Sequence, residues 1–527
     1  VYIVGRTATP TNRFTLCVDA NANTVFEPAL GECADPLQRD VFVEIDYMQY
    51  HQPNPLAVGD VVTAFGIAPA FASGSGKCDG SGCTPGVRLH VQVDEQITHV
   101  DNTALSPCTG PLAAGDANFD TIKAGGFGTP SERSNATALN AKRLAFHYGL
   151  FVHNQSPPAG SATSSSSGCA ELFGNDFMVS LGSWAPPNPA IAAHTGGVGS
   201  RAEQAGTFMH ELGHNLGLRH GGVDNVNCKP QHLSVMNYAY QFPNIVTDRP
   251  LSYSSAVLGA DPTLQCFLPA GTPTGLNEAC LNEALGIGNT NTVKIAFGPP
   301  VGVPAKTTIA SVTVLPAGPV NWNKNASSVD VGVVRDLNNM TSSSGGCPAS
   351  SGEFLEGSND WQILQLNLRA STDFADGVSL NFDPPVTNGT QDLTLEAVLD
   401  LSHDLIDIKP NDPNNTISVN SSATIEVAIF SRKNPDGTTV DVDATTIDPL
   451  SVTLRGIPPG PAWILTVRGG SDCKVRDVNK DGVPDLVCKF DFQKDTPRTP
   501  GNQRAVLTGT TFGGYDFLSS DTIRFVH

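Results

Sequence analysis

Charge is scarce in this 527-residue chain: Asp, Glu, Lys and Arg together make up 16%, against about a quarter in an average soluble protein. Basic residues are scarcer still. The 31 Lys and Arg stand against 51 Asp and Glu, a formal net charge of −20. Such a field repels phosphate backbones and anionic lipids, which argues against nucleic-acid binding and polybasic membrane attachment. No apolar run approaches the ~18–20 residues of a membrane span. The chain opens at Val1 with neither Met nor an apolar leader, and so reads as processed. Aromatics are few, at 7%, yet hydrophobic residues reach 39%, enough to build cores and to exclude wholesale disorder.

Gly (52) and Pro (39) are plentiful, the composition of a chain rich in loops and strands and poor in long surface helices. Its length suggests about three domains, and its acidity suits divalent cations. The 12 Cys include the close pairs Cys17/Cys33, Cys78/Cys83, Cys266/Cys280 and Cys473/Cys488. Their spacing reads as local disulfides formed in an oxidising, extracellular or cell-surface compartment. A structural zinc cluster is the rival, though only Cys78 and Cys83 approach ligand spacing.

Along the chain, 1–38 forms an N-terminal segment. Strand patterns follow at Val41–Tyr47, Val87–Val93, His147–His153 and Asp176–Leu181, with a helix expected over 131–146. That order suggests an α/β half-domain. The clearest helix covers about 200–217. Ser200 and Glu203 fit a capping box, Ala205, Met209, Leu212 and Leu216 form its apolar stripe, and Gly217 stops it. An irregular stretch occupies about 255–375. From 376 to 527, short alternating runs separated by turn residues, Leu393–Leu399 among them, predict an antiparallel β-sandwich.

This helix carries His210-Glu211-Leu-Gly-His214-Asn-Leu-Gly217-Leu-Arg-His220. His210 and His214 lie one turn apart on one face, and Gly217 lets the chain bend to bring His220 to the same ion. Three neutral imidazoles leave tetrahedral Zn²⁺ one open position, as in catalytic rather than structural sites. Glu211 adjoins the first ligand and can accept the proton of a water held there. A site that binds zinc without catalysis is the alternative. His147, His153, His194 and His232 read as structural histidines.

The eleven-residue pattern resembles the zinc motif of the metzincin metallopeptidases. Ser234-Val-Met236-Asn-Tyr238 is similar to the Met-turn of astacins and serralysins. The resemblance implies an α+β metzincin-like catalytic domain over 39–375 that hydrolyses protein or peptide substrates. Met236 would be the hydrophobic floor beneath the zinc and Tyr238 an oxyanion donor or fifth ligand. Asp176–Leu181 would be either the edge strand that pairs with extended substrate or a core strand. Where astacins place Glu and serralysins Pro after the third His, this chain has Gly221. Through Asn227–Tyr240 and Asn359-Asp-Trp361 it resembles uncharacterised secreted bacterial and archaeal metallopeptidases. The alternative class is a catalytically silent surface or matrix protein on the same scaffold.

Nearer the C-terminus, Asp477, Asn479, Asp481 and Asp485 offer oxygens at positions 1, 3, 5 and 9. Gly482 stands at 6, and Val483 can offer its carbonyl at 7. Position 12 is Cys488 rather than Glu. The segment is similar to short calcium loops of extracellular β-rich domains and implies structural Ca²⁺.

Overall fold

The computed structural model describes residues 2–6, 13–17, 33–34, 39–69, 85–157, 164–184, 197–259, 272–298, 308–340, 347, 353–366, 392–433 and 440–527, with short gaps inside several spans. The first lobe is built around Asp40–Met48 (β1). Val41, Val43 and Ile45 fill one face and Phe42, Glu44 and Asp46 are buried on the other, as a strand covered on both faces requires. Pro55–Gly66 (α1), capped by Asn54, carries the chain to Arg88–Ile97 (β2), parallel to β1. Phe146–Phe151 (β3) lies parallel on the other side of β1.

Two further strands, Gly168–Ala170 (β4) and Asp176–Val179 (β5), complete a sheet of order β2-β1-β3-β5-β4. β5 runs parallel to β3 and antiparallel to β4. Asp176–Leu181 is therefore an internal core strand, with Phe177 stacked on Phe208 at 5.7 Å. The edge is β4.

Arg201–Asn215 (α2) has the expected capping box between Ser200 and Glu203, and every residue from Glu203 to Asn215 is buried. Its first-turn amide at Ala202 also donates to Asp516 Oδ2, 3.3 Å away and 314 residues later in the chain. The helix expected over 131–146 is instead two, Pro130–Arg133 and Ala136–Arg143, because Asn135 starts a second helix by capping Thr137 and Ala138. Between 255 and 375 short two-stranded pairs surround a separate core containing Trp322.

Leu393–Leu399 is not a strand. Leu395–Leu401 forms a helix (α3) whose Leu395, Val398 and Leu399 are buried at helical spacing, in the same core as α1 and α2. Beyond it lie a four-stranded sheet and a five-stranded sheet. The first comprises Ile406–Ile408 (β6), Ala423–Ile429 (β8), Asp485–Phe492 (β12) and Cys473–Arg476 (β11), in that order. The second comprises Thr416–Ser418 (β7), Asp516–Val526 (β14), Gly501–Thr510 (β13), Thr453–Gly456 (β9) and Trp463–Thr466 (β10). Side chains from both sheets share one core, while Ile457, Val506 and Leu518 reach into the core of the first lobe.

Cys473 and Cys488 are bonded as the spacing suggests, opposite one another on β11 and β12 with Cα atoms 4.0 Å apart. Cys108–Cys169 and Cys228–Cys347 are long-range pairs, separated by 61 and 119 residues. Cys33 and Cys280 are disulfide-bonded too; Cys266, Cys78 and Cys83 lie outside the described residues, and of Cys17 only the backbone is described.

Candidate metal centre

His210 and His214 project from one face of α2, and Gly217 (φ +89°) turns the chain so that His220 faces them. Ring centroids are 4.8 Å apart for His210–His214, 4.9 Å for His214–His220 and 5.4 Å for His210–His220. Two backbone carbonyls fix the tautomers. His210 Nδ1 donates to Val235 O and His214 Nδ1 to Leu218 O, both at 2.8 Å, which leaves each Nε2 a bare lone pair. Those two Nε2 atoms lie 3.1 Å apart, close to the roughly 3.3 Å that two nitrogens at 2.0–2.1 Å from one tetrahedral zinc would have. Two lone pairs held this close repel unless a cation lies between them, so the donor set fits a zinc ion.

Glu211 is fully buried, and neither carboxylate oxygen has a hydrogen-bond partner among the described residues. Burial, and after it the nearby Asp392 carboxylate, pushes its pKa well above the usual range. The edge strand passes directly over it: a Cβ on Gly168 would sit 2.3 Å from Glu211 Oε1, so only glycine fits there. Below the helix, a Cβ on Gly213 would sit 2.3 Å from Met236 Sδ. The Met side chain is thus packed against the helix backbone between the two histidines. Tyr238 is buried with its ring 4.6 Å from His220; burial, then Asp392 and Glu211, raise its pKa well above 10.

One participant has no signature in the sequence. Asp392 Oδ1 lies 3.2 Å from His220 Nε2, 3.8 Å from His210 Nε2 and 4.0 Å from His214 Nε2, and accepts a hydrogen bond from Tyr238 OH at 3.1 Å. One carboxylate oxygen therefore faces all three histidines, where a fourth tetrahedral donor would stand. Burial opposes its ionisation, but the imidazoles of His210, His220 and His214 around it outweigh that and hold its pKa far below the usual range.

The residues after Asp392 run along the sheet edge. Ser167 N donates to Leu393 O and Leu395 N to Ser165 O, each at 3.1 Å, with an antiparallel bridge between Ser166 and Thr394. Ser165 Oγ donates to Glu396. A segment of this chain thus lies antiparallel along the approach to β4, then enters α3.

In the candidate calcium loop, Gly482 adopts φ +83°. Asp477 Oδ2 accepts from Gly482 N at 3.1 Å, Asn479 Oδ1 from Asp481 N at 3.1 Å and Asp481 Oδ1 from Val483 N at 2.8 Å. Asp485 is buried and accepts from Val478 N and Ser431 N. His147 bonds Asn215 at 3.1 Å and His232 bonds Asp360 at 2.8 Å, both in structural roles. His194 lies outside the described residues, and His153 is taken up below.

A protein-family model, Metallo-peptidase family M12B Reprolysin-like, matches residues 131–221. The match spans β3 to α2 and all three histidines, and stops short of Met236, Tyr238 and Asp392. No curated protein matches the chain. Among solved structures, AggA, the major subunit of aggregative adherence fimbriae type I from Escherichia coli, is 13% identical over 23% of this chain and 91% of its own, with a TM-score of 0.12, too slight a likeness to carry an argument.

Proposed function

We propose that residues 131–221, already similar to reprolysin-like metallopeptidases, form the heart of a zinc endopeptidase of metzincin type, acting on protein or peptide substrates. The observation that carries the reading is the convergence of His210, His214 and His220, the first two with tautomers fixed for metal binding, beside a buried Glu211 whose carboxylate has no partner among the described residues. A zinc ion so held supplies Lewis acidity that lowers the pKa of a water at its open position to about 7. Glu211 takes the proton of the attacking water at its carboxylate and later returns it to the leaving amine. Tyr238 OH donates to the oxygen that gains charge when the scissile carbonyl becomes tetrahedral. An extended substrate pairs antiparallel with the edge at 165–170, where the main chain accepts a strand.

That place is taken by the chain's own residues 392–395, so the described arrangement is a closed one, and substrate enters only when this segment leaves. The disulfides, Cys108–Cys169, Cys228–Cys347 and Cys473–Cys488 among them, and the lack of any helix among the described residues long and apolar enough to span a membrane, suit an extracellular protein. The two C-terminal sheets read as the sandwich domain, with Asp477, Asn479, Asp481, Val483 and Asp485 as a Ca²⁺ loop. Glycine at a left-handed turn and the cross-strand disulfide close by support that assignment.

Metal removal tests the whole reading. The full chain should contain zinc, and its hydrolysis of an unfolded protein substrate should stop on chelation and return with Zn²⁺. Millimolar Ca²⁺ should raise the melting temperature without altering zinc content. Bound zinc with no hydrolysis, even after the 392–395 segment is displaced, would favour the silent scaffold instead.

A further inference from the structure

Three more histidines converge as a group separate from His210, His214 and His220. His51 follows the end of β1, His99 the end of β2 and His153 the end of β3, and these are three adjacent parallel strands. Loops at the carboxyl ends of parallel strands are where such sheets gather ligand-binding groups. Here each loop delivers one imidazole. The ring centroids lie 5.0 Å (His51–His153), 5.1 Å (His99–His153) and 5.4 Å (His51–His99) apart, almost the spacing of the His210, His214 and His220 rings. A nitrogen from each lies within 4.8 Å of the others, and His153 Nδ1 and His51 Nε2 are 3.2 Å apart.

Local backbone is committed to this arrangement. Tyr50 holds φ +79°, a left-handed conformation costly for an aromatic residue, inside a tight turn closed by His51 N donating to Met48 O at 2.8 Å, and His51 emerges from it buried. Gly182 donates to His153 O at 2.6 Å, and a Cβ there would lie 2.4 Å from His153 Nδ1, so the imidazole needs a glycine beside it. His51 is buried and the other two are half-buried. Asp101, exposed, stands 4.0 Å from His99 Nδ1.

We infer that His51, His99 and His153 form a second transition-metal site, for Zn²⁺ or another divalent ion that favours imidazole, with Asp101 or water as fourth donor. A proton shared between two imidazoles is the competing account of the 3.2 Å contact, but it requires two rings, and three converge here. By pinning three loops together, the ion would stabilise the end of the sheet rather than act on substrate. The site stands whether or not the peptidase reading holds.

The test uses the full chain carrying no histidine tag, stripped with a chelator and titrated with Co²⁺, with bound metal counted per chain and the visible spectrum recorded. The parent should bind two equivalents. The double variant His210→Ala, His214→Ala should retain one, and adding His99→Ala, a half-exposed loop substitution, should reduce it to none. The double variant binding no cobalt would overturn the proposal, as would retention of its one equivalent after His99→Ala. If the triple variant fails to fold, His99→Gln in its place repeats the count, and a folded protein that keeps its one equivalent overturns the proposal.

Discussion

Glu211→Gln should lower the rate of peptide hydrolysis by about 10²–10⁴-fold, the usual cost of losing a positioned general base, with zinc content unchanged. Glutamine nearly matches glutamate in volume, so it fits the space under Gly168 where Glu211 is packed, and the three imidazoles keep their carbonyl partners at Val235 and Leu218. What the substitution removes is a carboxylate whose oxygens have no other described partner. Initial rates on an unfolded protein substrate, alongside metal analysis of the same sample, make the comparison. A fully metallated Glu211→Gln protein working at the parent rate would sink the assigned role.

Asp392→Ala should raise the affinity of the zinc-loaded protein for a small hydroxamate by about 10–100-fold. A tethered group competes at an effective concentration in the millimolar range, which weakens a rival ligand by one plus that concentration over the carboxylate's own dissociation constant, about 10–100-fold for a constant of roughly 10–100 μM. Removing the carboxylate opens the donor position but not the cleft. Leu393, Leu395, Ala397, Val398 and Leu399 remain in the core, and large apolar side chains buried there each resist withdrawal by roughly 1.5–3 kcal/mol. Hydrolysis of an extended peptide should therefore rise much less than hydroxamate affinity. Calorimetric titration of both proteins reads the first effect and a peptide assay the second. Equal hydroxamate affinities would show that Asp392 does not compete for the metal.

The parts of this site visible in the sequence are those that a single element specifies. Ser200, Glu203, His210, Glu211, His214 and Gly217 are set by the pattern of one helix and its stop, and Met236 and Tyr238 follow within a short stretch of chain. Asp392 is 172 residues from His220 and has no neighbours of diagnostic type; only the folded chain brings it to the histidines. His51, His99 and His153 were each unremarkable alone for the same reason. Leu393–Leu399 satisfies both an alternating and a helical pattern, and burial against α1 and α2 decided for the helix. Close cysteines predicted the bond across β11 and β12, where a local strand pair makes it, but spacing carries no information on bonds such as Cys228–Cys347.

The hydrogen bond from Ala202 to Asp516 sets an order on biosynthesis. A ribosome adding about 5–20 residues per second makes the 314 residues between donor and acceptor in on the order of 15–60 s. Throughout that interval the amino end of α2 lacks the carboxylate that completes it. Asp392 lies between the two on the chain, so it is always synthesised before Asp516. When the last strand arrives and the helix end is finished, the residue that covers the three histidines is already present, and the finished helix never exists in a chain that lacks its cover.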